Sequence, residues 1–348
     1  MKLRLLAVVS AVALSLAACG GDDPAPADEA TEGDSTPLVQ MNPLTGLELP
    51  DGAPANPVFV VKVENTRAGA PQYGLNQADL VVGQLVEGGV TRLAAFYYTA
   101  LPTQVGHVRS MRGTDIGIAA PVAGQLVATG GAPPTVDQVA AAGIPVFSED
   151  GGAPGFSTDS SKSRPYNRLV DLTAVAAAAT ATDIPGPYLD FTPAEGEEAE
   201  GAEEPAEAEG SAGTTAAPPA TRTVSSASVQ FSRSTTHTWA FGNGVWSRTN
   251  GFAAEGQDFA ATTLIVVFAP VQSAGYLDPG GNDVPETVFQ GGGRALILAG
   301  DQAQDVSWAK DGLGGRLTFT DAAGAPVTID PGKIWIELVP ESGSATAQ

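Results

Sequence analysis

One cysteine decides much of what this chain can become. Cys19 is the single cysteine among 348 residues, so no disulfide can close within one molecule. Ahead of it come Lys2 and Arg4, then an apolar run from Leu5 to Ala18 that ends Leu16-Ala17-Ala18-Cys19, with Gly20 next. Charge, then grease, then small residues is the order of an export leader, and the run is shorter than the ~20 apolar residues that cross a bilayer. A lone thiol after Ala-Ala reads as a lipoprotein box closing a signal peptide over residues 1–19. The thiol takes a diacylglycerol carrying fatty acids such as palmitate, and the leader is cut before it. The alternative is an ordinary signal peptide with an incidental cysteine. Two acyl chains, at ~0.8 kcal/mol per buried methylene, give an anchor worth on the order of 20 kcal/mol. An exported chain without disulfides has to be held by its core alone, and this length allows two domains to do so. No second apolar stretch approaches membrane length, so a soluble body tethered to the extracytoplasmic face of the cell membrane is expected.

The formal net charge of -22 is unevenly placed. Residues 22–34 hold six acids and no base, and residues 190–210 hold nine acids and no base, whereas residues 57–170 balance eight bases against eight acids. The acidity therefore belongs to Ala/Gly/Pro-rich segments that cannot bury enough surface to fold. Without a basic footprint, nucleic acid is excluded as a partner.

Composition divides the chain. Residues 20–41 form an acidic tether, ~25 Å long as a flexible coil. A mixed α/β domain is expected over 42–191, a disordered acidic linker or insert over 192–223, a β-rich domain over 224–340, and a tail over 341–348. In the first domain, Pro57–Glu64 reads as a buried strand by its β-branched content. Asp79–Glu87 and Val90–Tyr98 read as strands joined by a two-residue Gly88-Gly89 turn, which would set Glu87 and Arg92 diagonally on one face. Helices are expected over Met111–Ala119 with Ser110 as cap, over Thr135–Ala142, and over Asp171–Ala181. In the second domain, strands separated by Gly and Pro, with Asn243-Gly244 as a hairpin turn, point to a mostly antiparallel sheet. The class is α+β: a mixed α/β domain followed by a mostly antiparallel β domain.

Several strings are familiar together: Asn42-Pro43-Leu44-Thr45-Gly46, Val60-Val61-Lys62-Val63-Glu64-Asn65, Val86-Glu87-Gly88-Gly89-Val90-Thr91-Arg92, Gly106-His107-Val108-Arg109-Ser110 and Pro165-Tyr166-Asn167. Ser307-Trp308-Ala309-Lys310 and Pro331-Gly332-Lys333-Ile334-Trp335-Ile336-Glu337-Leu338 continue the pattern. With these, the chain resembles the YerB-like lipoprotein family (domain of unknown function 3048, N- and C-terminal modules) over roughly residues 42–340. The resemblance implies a two-part envelope lipoprotein and no particular reaction. The chain departs from the family pattern at His107, where the family carries Pro, and at Tyr166, where it carries His.

The first domain gathers its polar residues at strand ends and in loops, where sites form. Glu64, Asn65, Glu87, Arg92, Arg109, Arg112 and Asn167 are the ligand-binding candidates, with Lys62, Arg67, His107 and Arg168 near them in sequence. Arg109 and Arg112, three apart at an expected helix start, could dock a carboxylate or phosphate. The competing reading is a structural ion-pair network in which Arg109 and Arg112 hold Glu87 and Asp115. A third reading makes Glu87 an acid or base with Glu64 or His107 as partner.

Nucleophile and cofactor patterns fail. There is no G-x-S-x-G; Ser307-x-x-Lys310 sits in a strand pattern without a K-T-G companion. His107 and His237 lie in different domains with no thiol beside them, so no metal site and no cofactor are expected. Asp278 to Asp283 lacks calcium-loop spacing. Trp239, Trp246, Trp308 and Trp335 all fall in the second domain. They fill a core or form platforms for glycan rings, the first being the commoner use. His237 reads as a structural edge residue sharing a face with Trp239 and Phe241. The function that follows is binding or scaffolding, with a cell-wall glycan or an envelope protein as partner. The alternative is an envelope hydrolase or transferase using Glu87.

Overall fold

The structure, a computed structural model, describes residues 40–180, 183–193 and 221–348. The expected leader, Cys19, the tether to residue 39 and most of the acidic insert (194–220) lie outside the described residues.

Apolar runs without polar alternation build the frame. Every residue of the strand Phe59–Glu64 is buried. Val60 joins one core cluster while Phe59, Val61 and Val63 join another. The strand Ile334–Pro340 divides the same way, Ile334, Ile336 and Leu338 against Trp335 and Val339. Strands of this kind need cover on both faces of their sheet. Here they form a 12-stranded sheet. Its order runs from Pro326–Val327 through Leu317–Thr320, Gln302–Lys310, Gly291–Ala299, Thr263–Ala269 and Ile334–Pro340 to Leu80–Leu85, Thr91–Tyr97, Phe59–Glu64, Gln125–Ala128 and Val146–Ser148, with Thr221–Thr223 as a twelfth strand paired to Gln302–Lys310 off this path.

Both halves of the chain thus enter one sheet. The join is parallel, with Val82 opposite Ile336. Ile116, Ile118, Val139 and Tyr188 cover one face. A second antiparallel sheet, ordered Val245–Arg248, Thr236–Gly242, Ser226–Gln230 and Ser344–Ala347, packs Val229, Trp239 and Trp246 onto the other. The chain is mostly β with a small helical part.

Local departures from the expected elements have local causes. The turn after Leu85 is five residues, Val86 to Val90, closed by Val86 N–H donating to Val90 O at 2.8 Å. Gly88 and Gly89 both take positive φ (72° and 71°), as their sequence requires, but Glu87 is drawn into the turn by Arg112. Arg92 therefore lies opposite Gln84 and Glu64, not diagonal to Glu87. The helix after Arg109 is shorter than expected, Thr114–Ala119, because Asp115 Oδ2 accepts from Arg112 N (2.7 Å) and holds the approach in a turn. Ser110 caps nothing; its Oγ lies 3.3 Å from Thr129 Oγ1. The last expected helix stops at Ala176, though Asp171 does accept from the N–H groups of Thr173 and Ala174 at its start. Residues 344–347, expected in a tail, are a strand paired with Ser226–Gln230. Their Ser/Ala/Thr alternation is too weakly apolar to announce it.

Candidate functional site

Strand Phe59–Glu64 and its neighbour Thr91–Tyr97 bring four cations and three carboxylates together. Lys62 is fully buried, and its Nζ sits 2.6 Å from Asp115 Oδ1. That oxygen also accepts from Gln84 Nε2 at 2.7 Å. Burial pushes the Lys62 ammonium down to about 8; Asp115 opposes the shift and Arg92 and Arg112 assist it. Arg92, also buried, donates through Nη1 to Ser110 O at 2.9 Å. Burial lowers this guanidinium to about 9, helped by Arg112 and Arg109. Its Nε has no hydrogen-bond partner among the described residues. Arg109 pairs with Glu64 at 2.8 Å and lies over the Tyr166 ring, 4.9 Å from its centre. Arg112 pairs with Glu87 and donates to Met111 O at 2.7 Å. Burial works to raise the Glu87 carboxyl, but the Arg112 hydrogen bond and charge carry it below the usual carboxylate value.

The structure therefore brings together Glu64, Glu87, Arg92, Arg109 and Arg112. Of the expected pairs, Arg112 with Glu87 forms. Arg109, however, pairs with Glu64, and Asp115 goes to Lys62, since the register sets Glu64 opposite Arg92. Asn167 flanks the cluster: it follows Tyr166, its backbone oxygen accepts from Asp159 N at 2.9 Å, and its buried Oδ1 has no partner among the described residues. His107 does not meet Glu87. Its Nδ1 faces Gly69 O at 2.7 Å and its Nε2 faces Asp159 Oδ2 at 3.0 Å. The Asp159 carboxyl is held down to about 2, first by the Ser161 hydroxyl and then by Ser161 N–H and His107.

Asn65 leaves this cluster altogether. It stands where the N-terminal half meets the sheet of Thr236–Gly242. Its Oδ1 accepts from Arg248 Nη1 (2.8 Å) and Gln72 Nε2 (3.1 Å), and its Nδ2 donates to Thr91 Oγ1 (2.8 Å). Thr91 Oγ1 is 3.0 Å from His237 Nε2, and His237 Nδ1 is 2.7 Å from Glu337 Oε1, which also accepts from Trp239 Nε1 at 3.2 Å. Burial lowers His237 below its ordinary value, ahead of the opposing Glu337 charge. The ring is thus neutral, with Nδ1–H donating to the carboxylate and Nε2 accepting from the Thr91 hydroxyl. His237 is fully buried on a strand flanked on both sides, so the expected edge role is overturned.

The alliance of His237, Thr91, Arg248 and Glu337 escaped the sequence because its links span about a hundred residues or more. Strand patterning gave their faces but not which strands meet. All four tryptophans are buried, which removes them as glycan platforms. Among the described residues, no group of three or more His, Asp or Glu is placed to hold a metal ion.

Two sequence profiles of one family match the chain. "Protein of unknown function (DUF3048) N-terminal domain" covers residues 44–185, and the corresponding C-terminal domain covers 227–336. A Bacillus subtilis (strain 168) protein named "Putative lipoprotein YerB" is 40% identical over 70 residues, a stretch spanning 20% of this chain and 21% of that protein. The crystal structure of YerB from Bacillus subtilis aligns with a TM-score of 0.68 at 20% identity, covering 88% of this chain and 99% of that one. At that identity the likeness shows the fold alone.

Proposed function

This chain belongs to the DUF3048 family, and on that premise we propose that it is a lipid-anchored envelope protein that binds and does not catalyse. The anchor rests on the Leu-Ala-Ala-Cys19 box, and the name of the Bacillus subtilis relative supports it. Among the described residues no helix is long and apolar enough to cross a membrane. Residues 20–41, the expected tether, would then link that anchor to the body.

One observation carries the choice of binding over hydrolysis. Every carboxylate of the cluster is committed to a cation: Glu64 to Arg109, Glu87 to Arg112, Asp115 to Lys62. Glu87, the expected acid or base, is carried below its ordinary value by Arg112, and a carboxylate so held has no proton to give as an acid and little basicity to use as a base. Arg92 is the cation left over. With Arg109 and Arg112 partly exposed at the rim, the surplus charge favours an anionic group of a wall glycan or an envelope protein. The face this chain would offer its partner is therefore locally electropositive, although the chain as a whole is strongly acidic.

Two measurements test the reading. Bacteria expressing the full chain with labelled palmitate should show label in the membrane-bound protein. Cys19→Ala should lose the label and release the body from the membrane. Purified wall sacculi should co-sediment the wild-type protein with no soluble fragments released, and Arg112→Gln should weaken that association. Fragments released by the wild type but not by Glu87→Gln would replace binding with hydrolysis.

A further inference from the structure

Two adjoining cavities open where the halves of the chain meet. The smaller, of about 240 Å³, is lined by Asn65, Arg67, His237, Arg248, Asn250 and Phe252 together with the hydroxyls of residues 234–236. The larger, of about 630 Å³, shares Arg67, Asn250 and Phe252 with it. Together they are in the size range of small-molecule sites, ~300–1,000 Å³.

The lining has a definite chemistry. It carries two guanidiniums and no carboxylate; amides and hydroxyls make up most of the rest of the smaller cavity, whereas Ala70, Pro71, Gly251 and Ala253 wall the larger, with Phe252 half-buried between the two. Arg248 is fixed before any ligand arrives. Its Nη1 donates to Asn65 Oδ1 at 2.8 Å, its Nε approaches Asn250 Oδ1 at 3.4 Å, and its guanidinium lies 5.9 Å from the centre of the Phe252 ring. Its Nη2 is used by no hydrogen bond among the described residues. A guanidinium already immobilised loses little entropy when it engages a carboxylate. Arg67 adds an exposed second charge, with no ion pair among the described residues.

We propose that this seam cleft binds a sugar bearing a carboxylate, with the ring against Phe252, the hydroxyls on the amide and hydroxyl wall, and the acid on Arg248 and Arg67. A bare carboxylate would leave the hydroxyl wall and the aromatic face unused, and a neutral sugar would leave the exposed Arg67 guanidinium unanswered, Arg248 already lying in the field of Glu337 and Asp258. The site is distinct from the arginine cluster, takes residues from both family domains, and does not depend on the reading of that cluster.

The test is calorimetric titration of the full chain with N-acetylmuramic acid, N-acetylglucosamine and lactate. These probes supply ring and acid together, ring alone, and acid alone. N-Acetylmuramic acid is expected to bind saturably, and the other two about tenfold more weakly or worse. Arg67→Gln and Arg248→Gln should each reduce that preference about tenfold while sparing the neutral sugar, and Phe252→Ala should weaken both sugars. Arg248 also braces Asn65, so Arg67→Gln and Phe252→Ala carry the test if Arg248→Gln fails to fold. A glucosaminyl–muramic disaccharide that binds more tightly identifies a glycan strand as the source, and equal binding identifies the free sugar. Absence of saturable binding, equal affinity for the acidic and neutral sugars, or binding indifferent to Arg67→Gln and Phe252→Ala would overturn the proposal.

Discussion

The arginine cluster and the seam network are both built on strands Phe59–Glu64 and Thr91–Tyr97, yet they handle buried polarity in opposite ways. The cluster uses charge against charge, and it ends with a cation in surplus and Arg92 Nε unpartnered among the described residues. The seam uses a chain of directional hydrogen bonds through neutral groups, from Gln72 and Arg248 through Asn65, Thr91 and His237 to Glu337. The first arrangement is locally anchored within one half and leaves one cation without a carboxylate of its own. The second joins the halves, each member hydrogen-bonded to the next, with Glu337 Oε2 at its end left without a partner among the described residues. One residue position separates the two regimes: Glu64 belongs to the cluster, and Asn65 belongs to the seam.

That contrast breaks most severely at Asp115. Asp115→Ala strips the partner from the buried Lys62 ammonium and leaves Gln84 Nε2 and Arg112 N without their acceptor. A buried charge left alone costs about 3–5 kcal/mol. The urea midpoint should fall accordingly with an unchanged slope. Lys62→Met on that background should recover a large part of the loss, because the uncompensated charge is then gone. No recovery would mean that Asp115 acts through Gln84 and the Arg112 turn, and that the Lys62 pair is incidental.

Asn65→Ala probes the seam and should cost less, about 2–3 kcal/mol, since it orphans neutral and guanidinium donors without stranding a carboxylate. The loss should also be directional. Amide exchange should quicken along Thr236–Gly242 and Val245–Arg248, which Asn65 ties down through Arg248, and much less along Gln125–Ala128. Uniform quickening would erase the distinction between a local brace and a seam.

Which parts of this were legible beforehand follows from the range of the interactions. Phe59–Glu64 announced itself as a buried strand because its β-branched content is a local signal that needs no partner to be recognised, and all six residues are buried. Asn243-Gly244 announced its hairpin because the φ values of 54° and 80° are a local demand. Grouping Glu64, Glu87, Arg92, Arg109 and Arg112 was within reach, since strand ends and a short loop place them near one another. The pairing inside the group was not, because it depends on a register that sets Glu64, not Glu87, opposite Arg92. The seam was invisible for a stronger reason. The parallel join of Leu80–Leu85 to Ile334–Pro340 spans most of the chain, and nothing in either strand names the other. Asn65 consequently looked like a member of the cluster beside it, and His237 looked like an edge residue.

Acid titration separates the two regions by a smaller effect, and it does so in order. His237 in the folded chain binds its proton less readily than the ordinary 6.5, because burial opposes the charge. Below pH 6.5 the unfolded chain therefore holds more protons at this position than the folded one, and stability falls as pH falls, by at most about 1.4 kcal/mol per pH unit for one proton. Glu87 is shifted the same way from its ordinary 4.5, through Arg112. Its contribution is complete above that value and is lost only as pH drops through the lower folded value. The seam should thus yield first on acidification and the cluster later. His237→Gln should flatten the stability profile below pH 6.5 and leave the steeper loss below 4.5 in place, whereas Glu87→Gln should do the reverse. A His237→Gln profile that still bends at 6.5 would move the titrating group out of the seam, and with it the claim that a neutral imidazole is what holds the two halves in register.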